Sequence, residues 1–232
     1  MAWIGDQLTV DRLRKLFKFH AEDLNGFDWL DWLILVFRWL HIVMAFSNML
    51  HKQYMGTVHG CGLSHAFNLL HKKGLATSLI QGPCYRDLNE IFYHMATAHA
   101  WEEWQIMARV DDLKELWTWS PSELLNFATA IYNEYVSNEA LTMMDDLPDK
   151  DKDEVKHQTI MWNHDVLDFM ILDQAIKNSD MGLMEDFLPY LLFWFIGSQR
   201  SNYTIEVLEL MQGLHQEWPD EIWWVANFYN WQ

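Results

Sequence analysis

Helix punctuation is the feature that most narrows what this chain can fold into. Ser120-Pro121-Ser122-Glu123 places a capping hydroxyl, a proline suited to the first helical position and a glutamate three residues after the cap, in the order a helix start needs. Leu124, Leu125, Ala128, Ile131, Tyr132 and Tyr135 follow at helical spacing. A second helix is predicted over about residues 87–107, with Leu88, Ile91, Phe92, Met95 and Ala98 on one face. Lys72-Lys73-Gly74 reads as a helix end. Asp180 reads as the cap of a helix kinked by Pro189, and Trp218-Pro219 as the opening of the last helix. Strand signals are few. Trp3-Ile4 suits the end of a short strand before Gly5-Asp6, and periodicity does not separate the apolar run Leu33 to Phe37 from buried helix. The expected fold class is mainly α, an irregular multi-helix bundle with a short N-terminal strand pair.

The 232 residues suffice for a core without staples, since a chain of this size buries roughly 70–75% of its unfolded surface. With 14 Trp, 13 Phe and 8 Tyr, that core is built on large rings, and some rings are left outside as contact patches. Cys61 and Cys84 form no CxxC pair and read as reduced thiols of an intracellular protein, cytoplasmic or nuclear. Asp6 and Asp11 stand where a signal peptide would carry its apolar stretch. The segment Trp29 to Leu50 is long enough to span a bilayer, but Asp31, Arg38 and His41 interrupt it. LPYLLFWFIG is too short to span, so no membrane association is expected.

Charge is distributed unevenly. Residues 1–75 carry eight Lys/Arg and six Asp/Glu, and residues 76–232 carry eight and 27, for a net −17. An acidic body repels phosphate, so nucleic acid is not an expected partner of the chain alone. Only Arg12, Arg14, Lys15 and Lys18 suit a phosphate backbone. Residues 145–156, DDLPDKDKDEVK, read as an exposed loop, because they are charged, hold a proline and lack large apolar side chains.

No phosphate-binding glycine loop, nucleophile elbow or HExxH is present, and no cofactor is expected. His51, His59, Cys61, His65 and His71 crowd together, yet their spacing fits no zinc template, and histidines at a core edge account for them better. Glu90 with His94, and His99 with Glu102, share helix faces; a solvated face is the simpler reading than a bundle metal site. Ser64-His65 and Ser137 have no identifiable catalytic partners. Asp6 is more suggestive. A carboxylate at a strand end is held by the sheet, as a two-metal phosphoryl-transfer site needs, although an isolated one is usually a helix cap.

GDQLTVDRLRKL, then FDWLDWLILVFRWLHIVMAFSNMLHKQYMGT, and near the end HDVLDFMILDQAIKNSDMGLMEDFLPYLLFWFIGSQRSNYTIEVLELM followed by WPDEI, resemble in order the family known as domain of unknown function number 6589, found mostly in mushroom-forming fungi. That family is similar in layout to transposases with an RNase H-like core. The resemblance implies that Asp6 holds the second-acid position of the core. It also likens His41, in WLHIVMAF, to a histidine that follows the next strand in hAT-type transposases, although Arg38 stands where those have Cys. Asp6 is accordingly the candidate metal ligand, and Asp6 and His41 are the candidate catalytic residues. The implied domains are an RNase H-like remnant over 1–59 and a helical domain over 60–232. The first and third acids would lie outside the chain, so it is expected to be a catalytically inactive, transposon-derived fragment. The alternative is a helical protein-interaction module using exposed aromatic patches.

Overall fold

The structure is a computed structural model that describes residues 2–22, 25, 27, 30, 32–56, 62–70 and 85–218. Among these residues the fold is mainly α, as the periodicity predicts. The two short apolar runs are strands: β1 (Ala2–Gly5) and β2 (Ile34–Phe37) pair in parallel, Ala2 opposite Ile34 and Gly5 opposite Phe37. A parallel pair needs a crossover, and helix α1 (Gln7–His20) lies between the two strands in sequence. The remaining helices are α2 (Trp39–Gln53), α3 (Leu63–Leu69), α4 (Tyr85–Ala108), α5 (Pro121–Tyr135), α6 (Asn138–Asp145), α7 (Glu154–Asn178), α8 (Met181–Gly197) and α9 (Ser201–Gln212). No helix among the described residues is long and apolar enough to cross a membrane.

The chain divides into two compact units, Met1–Met49 with Ile171–Gln232, and Leu50–Met170. This differs from the division at residue 59 read from the sequence. Residues 50–56 go with the helical unit, and residues 171–218 join the N-terminal segment. The physical reason is long-range packing inside the first unit, which no local pattern encodes.

In the first unit, Val36, Trp39, Ile42, Phe46, Phe195 and Val207 are fully buried. Each such side chain contributes about 1.5–3 kcal/mol by leaving water. Tyr203 of α9 lies between Phe37 of β2 and Phe195 of α8, with ring centroids at 5.8 and 5.4 Å. Arg14 on α1 donates to Glu206 on α9 at 2.5 Å, and Glu206 is only 2% exposed. Asp180 caps α8 as expected, its Oδ1 accepting the Leu183 N–H at 3.2 Å, and Pro189 stands inside that helix.

In the second unit the core is aromatic. Trp162 of α7 meets Tyr54 and Phe92 edge-on at 5.1 and 5.6 Å, and Phe92 meets Phe169 at 5.3 Å. On α4, Leu88, Ile91 and Phe92 are buried and Met95 is half-buried, but Ala98 is exposed. Helix α5 starts at Ser120 with the full reciprocal cap: the Glu123 N–H donates to Ser120 Oγ at 3.3 Å, and Glu123 Oε2 accepts the Ser120 N–H at 2.8 Å.

The loop expected over 145–156 is shorter than read. Residue 145 ends α6, Asp149–Asp151 form a 3-10 turn, and α7 begins at Glu154, because Asp153 Oδ1 accepts the Val155 and Lys156 N–H groups at 3.0 Å and starts the helix. Residues 145–151 are exposed, as expected. The helix end at Gly74 and the helix opening at Pro219 lie outside the described residues.

Candidate functional site

Asp6 directly follows β1 and is the N-cap of α1. Its Oδ1 accepts the Thr9 N–H at 2.7 Å. The hydrogen bonds from Thr9 hold its carboxyl below the ordinary aspartate range, with a smaller contribution from the charge of His41. Both readings of this residue therefore describe one position: it ends a parallel strand, and it caps a helix. His41 lies in the first turn of α2, its backbone N–H donating to Arg38 O at 3.0 Å and its ring 6.1 Å from that of Phe37. Burial lowers its pKa, Asp6 opposes that shift and Arg38 adds to it. The β-strand pairing and the turn after β2 thus bring Asp6 and His41 within electrostatic reach. Asp6 is one strand-end carboxylate that also serves as a helix cap, where a pair of divalent metals calls for several converging acids.

The other constellations separate. His59, Cys61 and His71 lie outside the described residues. His51 is buried and stacks on Phe67 at 5.7 Å, while His65 is exposed on α3. His94 and Glu90 form an exposed pair at 3.7 Å. Ser137 caps α6, accepting the Ala140 N–H at 3.1 Å, and Ser64 Oγ donates to Gly56 O at 3.5 Å. Among the described residues no group of three His, Cys, Asp or Glu could hold a metal ion.

Sequence reasoning missed a second arrangement, in the helical unit. Glu103 on α4 is 7% exposed and accepts a hydrogen bond from Asn163 Nδ2 of α7. The Asn163 amide also donates to Tyr135 O at 3.1 Å, and its Oδ1 meets His99 Nδ1 at 2.9 Å. Burial pushes the Glu103 carboxyl up to about 7, against the Asn163 hydrogen bond and with help from Glu102. Glu103 and Asn163 line an open-sided groove of about 1030 Å³ whose other walls are largely apolar, among them Trp104, Leu116, Ile131 and Val166. No signal in the sequence marks it, where Leu125 and Tyr132 read only as part of a helix face. Both belong to the apolar face predicted for α5, and both stay exposed, at 69% and 46%.

Fold and site together define a mainly helical protein that carries a parallel strand–helix–strand unit with an acid at the carboxyl end of its first strand. The chain belongs to the Family of unknown function (DUF6589), whose model matches residues 1–229. No curated protein and no solved structure matches the chain significantly.

Proposed function

We propose that the chain is a transposase-derived protein that neither cleaves nor joins DNA by itself, its β1–α1–β2 unit being a portion of an RNase H-like core. The observation that carries this reading is Asp6 at the carboxyl end of a strand in a parallel pair. In such a core a carboxylate at that place serves metal-assisted phosphoryl transfer. That chemistry needs several acids converging on two ions about 3.5–4 Å apart. Asp6 is one acid, and its Oδ1 already accepts from Thr9. The test is incubation of the purified chain with supercoiled plasmid and Mg²⁺ or Mn²⁺. No nicking is expected, and Asp6→Asn should behave as the wild type. Metal-dependent nicking that Asp6→Asn abolishes would overturn the reading.

A second reading, a helical protein-interaction module, is favoured by the groove beside α5. Exposed Trp101, Leu125 and Tyr132 around it are apolar surface that a partner covers more favourably than water does. Leu125→Glu is the corresponding probe, since it charges the groove at an exposed position.

A further inference from the structure

We infer that the groove of the helical unit takes a basic amphipathic helix of a partner protein, its apolar face along α5 and one lysine or arginine directed at Glu103. The inference rests on the interaction-module reading and supplies the partner's chemistry.

Shape comes first. Lining residues run along α5 from Pro121 to Tyr132 and on to Val136, about 22 Å at the helical rise. A helix with its side chains is about 10–12 Å across. Drug-sized ligands have some 70–90% of their surface buried in their pockets. A groove of about 1030 Å³ that is open along one side suits a longer, one-faced occupant better. Trp101, Leu125 and Tyr132 are 62%, 69% and 46% exposed, so large apolar side chains are presented where such a helix would lie.

Charge comes second. Residues 96–136, which supply most of the lining, hold two Lys/Arg against seven Asp/Glu. Among the residues that line the groove Glu103 is the one charged side chain, and an acid there favours a basic partner and rejects an acidic one. Glu103 adds a specific anchor. Folding has already taken its carboxyl out of water, and Asn163 is its neutral hydrogen-bond partner there. A cation arriving from the partner meets a desolvated acid and interacts with it through a low dielectric, so the desolvation of that acid is not repeated on binding. The same burial holds the carboxyl up near 7, and a cation beside it would bring it back down.

The experiment uses the whole chain and a fluorescent helical peptide of about 18 residues with an apolar stripe, lysines on its other face and one central lysine bordering the stripe. A twin carries glutamate at every lysine. A third peptide carries methionine in place of the central lysine alone. Binding is read by anisotropy at about 0.15 M salt, with dodecylamine as a small-amphiphile competitor. The basic peptide should bind at least about tenfold more tightly than its acidic twin, and Leu125→Glu should abolish binding. Glu103→Gln and loss of the central lysine should each weaken binding about fivefold or more, and together no more than either alone. If both twins bind equally and Leu125→Glu removes both, the groove is an interaction surface and the basic partner is wrong. If no peptide binds and Leu125→Glu changes nothing, the interaction-module reading falls as well. Binding of dodecylamine with no peptide bound overturns the inference in favour of a small cationic amphiphile. Independent effects of Glu103 and the central lysine overturn the anchor.

Discussion

Glu103 shows what a buried acid does to the pH dependence of a fold. Its carboxyl is pushed up to about 7, above the ordinary glutamate value, first by desolvation. The folded state therefore keeps the proton at pH values where the unfolded chain has already released it. Stability contributed by the protonated acid is present below the ordinary value and is lost as pH rises toward 7. Between pH 4 and 8 the loss is about 3 kcal/mol. The groups nearby are Glu102 on the same helix, His99 reached through Asn163, and the Tyr135 carbonyl. Glu103→Gln keeps an acceptor for Asn163 without the charge. It should unfold at higher urea than wild type at pH 8, by about 2–3 kcal/mol, and match it near pH 4. Equal midpoints at pH 8 would show that Glu103 is solvated. None of this was legible in the sequence, where Glu102-Glu103 is an ordinary acidic pair and Asn163 lies 60 residues away.

Local signals made some elements readable and left their partners hidden. The α5 start was legible because Ser120, Pro121 and Glu123 carry the cap within four residues, while the run of β2 showed as apolar but periodicity left it undecided between strand and buried helix. That the strands pair in parallel depends on contacts 32 residues apart, as Ala2 with Ile34, and that α9 joins the N-terminal segment depends on contacts 192 residues apart, as Arg14 with Glu206. This pair makes a test of its own. Glu206 Oε2 is buried and has no hydrogen-bond partner among the described residues, and desolvation raises the Glu206 pKa against the pull of Arg14. Arg14→Met would strand that acid in the core. It should cost about 3 kcal/mol in denaturant unfolding. Arg14→Met with Glu206→Leu should recover most of the loss, because no buried charge remains. A double variant as unstable as the sum of the singles would show that the pair does not interact.

At the scale of the molecule, net charge and its placement decide how the protein meets DNA. The four basic residues of α1 do not form a stripe open to phosphate. Arg14 is held by Glu206, and Lys15 by Asp11 at 2.6 Å, while Arg12 and Lys18 are exposed. With a net −17 overall, duplex DNA should not be retained at about 0.15 M salt. Any binding at low salt should fall with log salt at a slope no steeper than about −2, as two phosphate contacts imply. A slope near −4 or beyond in filter binding would mean that α1 releases Arg14 and Lys15 to the backbone. The acidic imbalance was fully legible in composition. The ion pairs that quiet half of the basic helix were not, since Glu206 gives no sign of its partner in sequence.

Gly62 enters α3 at φ 120° and ψ 179°, and a Cβ added there in the natural configuration would stand 2.8 Å from the Tyr54 carbonyl oxygen. That pair of angles is the mirror image of ordinary extended backbone. The position therefore selects by handedness. L-alanine at 62 is opposed twice, by its torsion and by the carbonyl. D-alanine finds its preferred torsion, and it limits the unfolded chain more than glycine does. Placed by semisynthesis, D-alanine should melt no lower than glycine and L-alanine well below both, so that an atom count identical in the two variants gives opposite outcomes.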